Sequence, residues 1–181
     1  MAADPLATDA ACVNDPSPAQ APALRPTLDL AVVMERETQP NRWEEWRFTV
    51  AEVVADEPAF GSAPRVLRDD GNLQRTLFPG FKLALFRDEG EGYHLNLVSG
   101  APVWFVVWRT DADDPSRAWP ETVSVSYNEA GRWLDAQEHV DNLPLPADVV
   151  AWLQGYTDAH YRPEVKQRRR PQSFLAPDQR K

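Results

Sequence analysis

The spacing of apolar residues changes once along this chain, and that change most constrains its fold. Before Ser126 the apolar residues alternate with polar ones or form short runs, as in 46-WRFTVAEVVA-55, and both patterns are typical of β-strands. After Ser126 they recur at helical spacing, as at Val149, Trp152 and Tyr156. Strands joined by short turns and followed by two helices predict an α+β fold with a mainly antiparallel sheet.

About six strands are expected in this sheet, and closure into a barrel is an alternative arrangement. They are the segments 28–37, 46–55, 75–87, 93–99, 102–109 and 121–126. Pro79-Gly80 is expected to interrupt the third segment by a turn or a bulge, and 88-DEGEG-92 to connect a hairpin to the fourth. The run 102-PVWFVVWR-109 is too apolar for a half-exposed strand, so we predict a central position for it.

Two C-terminal helices are predicted from their end signals. Ser126 and Glu129 form the pattern S-x-x-E, a capping box in which each side chain bonds the backbone N–H of the other residue. Pro146 suits the first position of the second helix, and Arg162-Pro163 is expected to end it.

The chain divides into three parts by composition and charge. Residues 1–26 are rich in Ala and Pro and are predicted to be a disordered arm, residues 27–162 a single globular domain, and residues 163–181 a flexible basic tail. Residues 27–161 carry 11 basic and 23 acidic side chains, a net charge of −12, whereas residues 162–181 carry seven basic and two acidic, a net charge of +5. Because an acidic body repels nucleic acid and anionic membranes, such binding is expected only through the tail.

The sequence predicts a soluble, cytoplasmic protein. Its first 26 residues lack the basic region and apolar run of a signal peptide. Its longest apolar run, 101-APVWFVVW-108, falls far short of the roughly 20 residues that cross a bilayer. The single cysteine, Cys12, excludes an intramolecular disulfide framework and fits a reducing compartment.

The segment 41-NRWEEWRF-48 contains two adjacent glutamates, but the geometry of an extended chain argues against a catalytic carboxylate pair. Glu44 and Glu45 are adjacent, so on an extended chain their side chains point to opposite faces and cannot act on one substrate together. Trp43 and Trp46 are predicted to anchor the start of a strand at the rim of the core, and an aromatic binding platform is the alternative.

No catalytic residue, metal ligand or cofactor is predicted. The three histidines, His94, His139 and His160, are too scattered for the paired spacing of a zinc site. The acidic run 111-DADD-114 lacks the later glycine and glutamate of a calcium loop. A hydrolase of unrecognised type stays open as an alternative, because a serine or carboxylate can meet His94 or His139 in space.

The basic tail is the strongest candidate contact. Its cluster consists of Lys166, Arg168, Arg169 and Arg170. Docking onto an acidic protein patch is one interpretation. A solubilising tail and binding to nucleic acid phosphates are the others, although no fingerprint of a nucleic-acid fold accompanies the arginines.

Several landmarks occur in an order that resembles a known family. They are 32-VVMER-36, the W-x-x-W-R-F of residues 43–48, 93-YHLNL-97, 124-SVSYNEAGRWLD-135, 143-LPLPADVVAWL-153 and 160-HYRPEVKQRRR-170. Over roughly residues 28–170 the chain is similar to the domain of unknown function 3305 family, bacterial proteins often encoded beside molybdenum-dependent formate dehydrogenase genes. The resemblance implies a context rather than a mechanism: an accessory role in maturation, assembly or cofactor loading of that enzyme.

These observations predict a non-catalytic accessory protein that binds a protein partner, with formate dehydrogenase or its maturation factors as the candidate. Its expected contacts are the basic tail and whichever large aromatic is exposed among Trp43, Trp104, Trp108 and Trp119. The alternative is a small-molecule binding domain, for a pterin-type cofactor, with a cavity lined by Tyr93, His94 and Asn96. A deep pocket favours the alternative, and an exposed apolar patch favours the accessory protein.

Overall fold

The computed structural model describes residues 25–163 and contains two antiparallel sheets and three α-helices. In chain order the elements are β1 (Thr27–Asn41), β2 (Glu44–Ala55), β3 (Arg65–Asp69), β4 (Leu73–Ala84), α1 (Gly90–Val98), β5 (Val103–Thr110), β6 (Ala118–Ser124), α2 (Tyr127–Asp135), β7 (His139–Pro144) and α3 (Ala147–His160). The first sheet has the order β2-β1-β4-β3 and the second the order β6-β5-β7. None of the helices in this part of the chain combines the length and apolar character that a bilayer crossing requires.

The predicted α+β class and antiparallel pairing are confirmed, and the predicted arrangement is wrong. The strands form two sheets, of four and three strands, and within residues 25–163 they do not close into a barrel. β5 is the central strand of the second sheet, as its apolar sequence predicts. β3 lies between the predicted strands 46–55 and 75–87, where no strand is predicted. All five of its residues are exposed, so no buried pattern marks it in the sequence.

The predicted strand 93–99 is a helix, α1, so there are three helices where two were expected. The alternation of Tyr93, Leu95 and Leu97 suggested a strand, but Leu95 is exposed. The face that α1 buries instead contains Gly90, Tyr93 and Asn96, at spacings of three. A glycine and an asparagine on the buried face conceal the helical period from a hydrophobicity pattern.

Two local predictions are confirmed at the level of the backbone. At Pro79-Gly80 the pairing of β1 with β4 shifts between Leu30–Phe81 and Val32–Phe78, which is a bulge, and Gly80 has a φ of 91° that favours glycine. α3 ends before Arg162, as predicted, but Pro146 is its N-cap and its first residue is Ala147.

The main core lies between the two sheets. Alternate residues of β1 and of β5 face one another across it and are almost fully buried: Leu30, Val32, Met34, Trp104, Val106 and Trp108. Leu153 of α3 packs against the same cluster. Each large side chain buried here contributes about 2 kcal/mol to stability.

Side chains also join the sheets by hydrogen bonds. The pairing of β1 with β2 has a bulge between Val33 and Met34. Beside it the Val50 N–H donates to Asp141 Oδ2 of β7 at 2.7 Å. Contacts between β4 and β6 and between β2 and β7 set the two sheets face to face, so β3 overhangs the edge of the smaller sheet.

Candidate functional site

The tip of the β1–β2 hairpin presents Trp43 to solvent. The pairing of β1 with β4 ends at Glu37 and Leu73, with one further bond from the Thr38 N–H to the Asn72 carbonyl at 2.7 Å, so beyond that point the hairpin projects as two strands. Trp43 lies in the turn and is 81% exposed, more than any other large hydrophobic residue of the described chain. This position contradicts the expectation that Trp43 anchors the strand, and it is the arrangement that the partner-binding interpretation requires.

The tip is held by its own side chains. The side-chain Oδ1 of Asn41 accepts the N–H groups of Trp43 at 2.8 Å and of Glu44 at 3.0 Å. Its amide donates to Glu44 Oε2 at 2.9 Å, and the same carboxylate pairs with Arg47 at 2.7 Å. The Arg42 guanidinium lies 4.2 Å from the centre of the Trp43 ring. The indole is therefore presented on a defined turn.

The other tryptophans that were candidate contacts are divided between core and surface. Trp104 and Trp108 are buried in the main core, so they cannot contact a partner. Trp119 is 38% exposed. Trp46 is half-buried on β2, with the Arg36 guanidinium 4.9 Å from its ring centre.

A cleft of about 560 Å³ opens between the sheets beneath the overhanging β3. Its walls are mainly apolar and come from β1, β2, β3, β4 and β6, including Met34, Phe48, Val66, Phe78 and Trp119. Arg36, Gln74 and Arg117 are among the polar residues that line it.

Arg36 is the cation of this cleft that lacks a carboxylate partner. Its Nη1 donates to the Ser116 carbonyl at 3.1 Å, while its Nε is buried without a partner. Within the described residues no carboxylate oxygen comes within 4.0 Å of it, although Asp114 lies nearby. The hydrogen bonds from Ser116 to the Asp114 carboxylate are the main cause that lowers the pKa of Asp114, and the charges of Arg117 and then Arg36 add to it.

Sequence reasoning missed Arg36, although a signal for it exists. Val32, Met34 and Arg36 are spaced by two along a single strand, so they face the same side of the sheet. The first two are core residues. A charged residue at the next position of a core-facing series, as Arg36 is after Val32 and Met34, indicates that the strand leaves the core at that point.

Tyr93 and Asn96, two of the residues suggested for a cofactor cavity, hold α1 in place. The Asn96 amide donates to the carbonyls of Val103 at 2.8 Å and Val125 at 2.9 Å, and its Oδ1 accepts the Val103 N–H at 3.0 Å. The Tyr93 hydroxyl accepts the Phe86 N–H at 3.1 Å. Burial raises the pKa of Tyr93 to about 12.

Each of the three histidine rings packs against the ring of an aromatic residue. His94, the third residue suggested for the cofactor cavity, lies 5.5 Å from the ring of Tyr161. His139 stacks on Trp108 at 4.4 Å, and His160 meets Tyr156 edge-on. In residues 25–163 none of them hydrogen bonds to a serine or pairs with a carboxylate within 4.0 Å, and no three His, Cys, Asp or Glu side chains are grouped to hold a metal ion.

A polar cluster joins the start of α1 to the start of α2. The Ser126 hydroxyl accepts the Glu129 N–H at 3.2 Å, as predicted for the helix cap, and donates to Glu89 Oε2 at 2.6 Å. Arg132 donates to the other oxygen of Glu89 at 2.7 Å. The reciprocal half of the capping box is absent here, because the Glu129 carboxylate accepts the Ser124 hydroxyl instead. Burial acts to raise the pKa of Glu89, but the hydrogen bonds from Ser126 and Arg132 outweigh it and lower the pKa.

The basic cluster Lys166, Arg168, Arg169 and Arg170 lies outside the described residues 25–163. Its proposed contacts with a partner stay a prediction.

Comparison with known proteins gives one match. The model of a family described as a protein of unknown function (DUF3305) matches residues 29–170, more than half of the chain. No curated protein matches. No solved structure matches either.

Proposed function

The chain belongs to this DUF3305 family of proteins of unknown function, and we propose that it is a non-catalytic accessory protein that binds a protein partner through the tip of its β1–β2 hairpin. The observation that carries the proposal is the 81% exposure of Trp43 on a hydrogen-bonded turn. Tryptophan is among the residues most enriched at the energetic centres of protein interfaces.

The structure of the tip favours binding energetically. Burial of a large side chain stabilises a protein or a complex by about 2–3 kcal/mol. The exposed indole of Trp43 lacks this stabilisation and would gain it in the pocket of a partner. Ordering a mobile side chain on association costs about 0.5–1.5 kcal/mol. The hydrogen bonds of the Asn41 side chain with Trp43 and Glu44 already order the turn in the free protein, so less conformational entropy is lost on binding.

The partner that we propose is a molybdenum-dependent formate dehydrogenase or one of its maturation factors, and the role is assistance in maturation or assembly. The family resemblance of the sequence supports this choice. The tip carries both signs of charge around the indole, Arg42 and Arg47 beside Glu44 and Glu45, which suits a partner pocket with a polar rim. The cluster of Lys166, Arg168, Arg169 and Arg170 is proposed as a second contact.

The test is a binding measurement between the purified full chain and purified formate dehydrogenase subunits. Trp43→Ala is expected to weaken binding about tenfold or more, since an interface centre contributes more than about 1.4 kcal/mol. Leu134→Ala is the matched control, because Leu134 is also an exposed apolar residue, 58% exposed, but lies on α2. Equal binding by the two variants contradicts the role of the tip, and failure of the unaltered chain to bind contradicts the choice of partner.

A further inference from the structure

We propose that the cleft between the sheets binds a small molecule with an apolar, ring-sized body and one anionic group, and that Arg36 recognises the anion. This site does not depend on the hairpin tip. It also differs from the cavity suggested for a pterin-type cofactor, because Tyr93, His94 and Asn96 are not among the residues that line it.

The size and lining of the cleft fit a small ligand. Its volume of about 560 Å³ lies within the range of about 300–1,000 Å³ that is typical of small-molecule sites. Such sites combine apolar and aromatic walls with few polar groups. Here Phe48, Phe78 and Trp119 supply the aromatic walls.

The charge of the cleft selects an anion. Glu35 lines the cleft, but its carboxylate pairs with Arg75. Arg117 has Asp111 at 4.0 Å. Arg36 forms no such ion pair within 4.0 Å among the described residues, although Asp69 and Asp114 lie near enough for its charge to lower their pKa values. It is therefore the cation of the cleft with donors left for an anion.

Arg36 is also held in a geometry suited to recognition. Its guanidinium lies 4.9 Å from the Trp46 ring centre, and Nη1 is fixed by the Ser116 carbonyl. A guanidinium has five N–H donors in a planar fork that matches carboxylate-type oxygens. Because Nε has no partner among residues 25–163, an anion that enters the cleft supplies the missing acceptor. A buried donor without an acceptor destabilises the free protein, and binding of the anion removes that cost.

A pair of fluorescent probes tests this inference with the full chain. The probe 1-anilinonaphthalene-8-sulfonate carries the anion, and N-phenyl-1-naphthylamine has the same rings without it. We expect the sulfonate to bind at one site per chain and about tenfold more tightly than the neutral probe. Arg36→Gln is expected to remove that preference while leaving the affinity for the neutral probe within about twofold.

Two further variants keep the test decisive. Lys82→Gln removes one positive charge outside the cleft, where Lys82 pairs with Asp29 on the surface, and it is expected to leave both affinities unchanged. Trp119→Ala removes an apolar wall of the cleft and is expected to weaken the binding of both probes. Thermal unfolding of each variant verifies that it folds. If Arg36→Gln does not fold, the relative affinity of the unaltered chain for the two probes and the effect of Trp119→Ala test the inference.

Three results overturn the inference: no binding of either probe, equal affinity of the unaltered chain for both, or loss of the sulfonate preference in Lys82→Gln as well as Arg36→Gln. Unchanged binding in Trp119→Ala places the probes outside the cleft and overturns it too.

Discussion

Gly92 lies so close to Ser126 that a Cβ atom on Gly92 would stand 2.2 Å from the Ser126 Oγ. The hydroxyl has little freedom to move, because it donates to Glu89 and accepts from the Glu129 backbone. The same Cβ would stand 3.2 Å from the Asn128 backbone nitrogen. Glycine in α1 is therefore what allows the starts of α1 and α2 to meet.

Gly92→Ala is expected to lower the free energy of unfolding by about 1–3 kcal/mol, because the added methyl group must displace a bonded hydroxyl. Urea denaturation monitored by circular dichroism measures it. Gly155→Ala is the control: Gly155 lies in α3 with no atom within 4 Å of an added Cβ. Alanine favours a helix over glycine, so this variant should gain about 0.5–1 kcal/mol. Losses of equal size in the two variants contradict the close approach.

Glu89→Gln is expected to destabilise the chain by about 1–2 kcal/mol at neutral pH, since hydrogen bonds to a charged group are lost. The pKa of Glu89 is lower in the folded chain than the ordinary 4.5, so its stabilisation is complete above that value. It is lost as pH falls below 4.5 through the folded pKa. Urea titrations at a series of pH values should show that the difference in the free energy of unfolding between Glu89→Gln and the unaltered chain becomes smaller in acid.

Glu91→Gln provides the comparison, because Glu91 is exposed in the first turn of α1, two residues from Glu89. It is expected to change stability by less than about 0.5 kcal/mol. A pH-independent difference for Glu89→Gln argues that the carboxylate acts only through its shape.

Asn96→Ala is expected to cost about 2–4 kcal/mol, because it leaves two carbonyls and one N–H of the backbone without their partner. Chemical denaturation measures the loss, and hydrogen exchange should show the Val103 amide losing protection. Asn142→Ala, at an exposed position of β7, is expected to stay within about 0.5 kcal/mol of the unaltered chain. A small effect at both positions would mean that water replaces the Asn96 amide.

Asp141→Ala is expected to destabilise the chain by about 1–3 kcal/mol, because the Val50 N–H loses its acceptor on the opposite sheet. Asp141→Asn retains an acceptor oxygen and should recover more than half of that loss. Thermal unfolding of the two variants side by side makes the comparison. Equal losses would show that the charge of Asp141 matters rather than its hydrogen bond.

The strands with a buried face were predictable because their sequence carries the period of a sheet. β1, β2 and β5 alternate or are wholly apolar, and each is found where that pattern places it. β3 carries no such pattern, since an exposed edge strand buries nothing. The division into two sheets was not predictable either, because strand patterns specify faces and not neighbours.

The candidate sites show the same limit. Trp43 was identified as a possible contact from its residue type, but its exposure depends on where β1 stops pairing with β4. The cleft depends on β3 overhanging β6, which no local pattern encodes. Arg36 had a local signal in its spacing from Val32 and Met34, and only the position of the opposite sheet shows that it borders open space.

Each sheet is built from a separate half of the chain, since the first is complete at Ala84 and the second runs from Val103 to Pro144. A ribosome releases the N-terminal half first, so the four-stranded sheet can pair before its opposite layer exists. Synthesis of the 60 residues from Leu85 to Pro144 takes about 3–12 s at usual elongation rates. During that interval Leu30, Val32 and Met34 lack the layer that covers them in the folded protein, so the nascent chain exposes an apolar surface that the finished protein conceals.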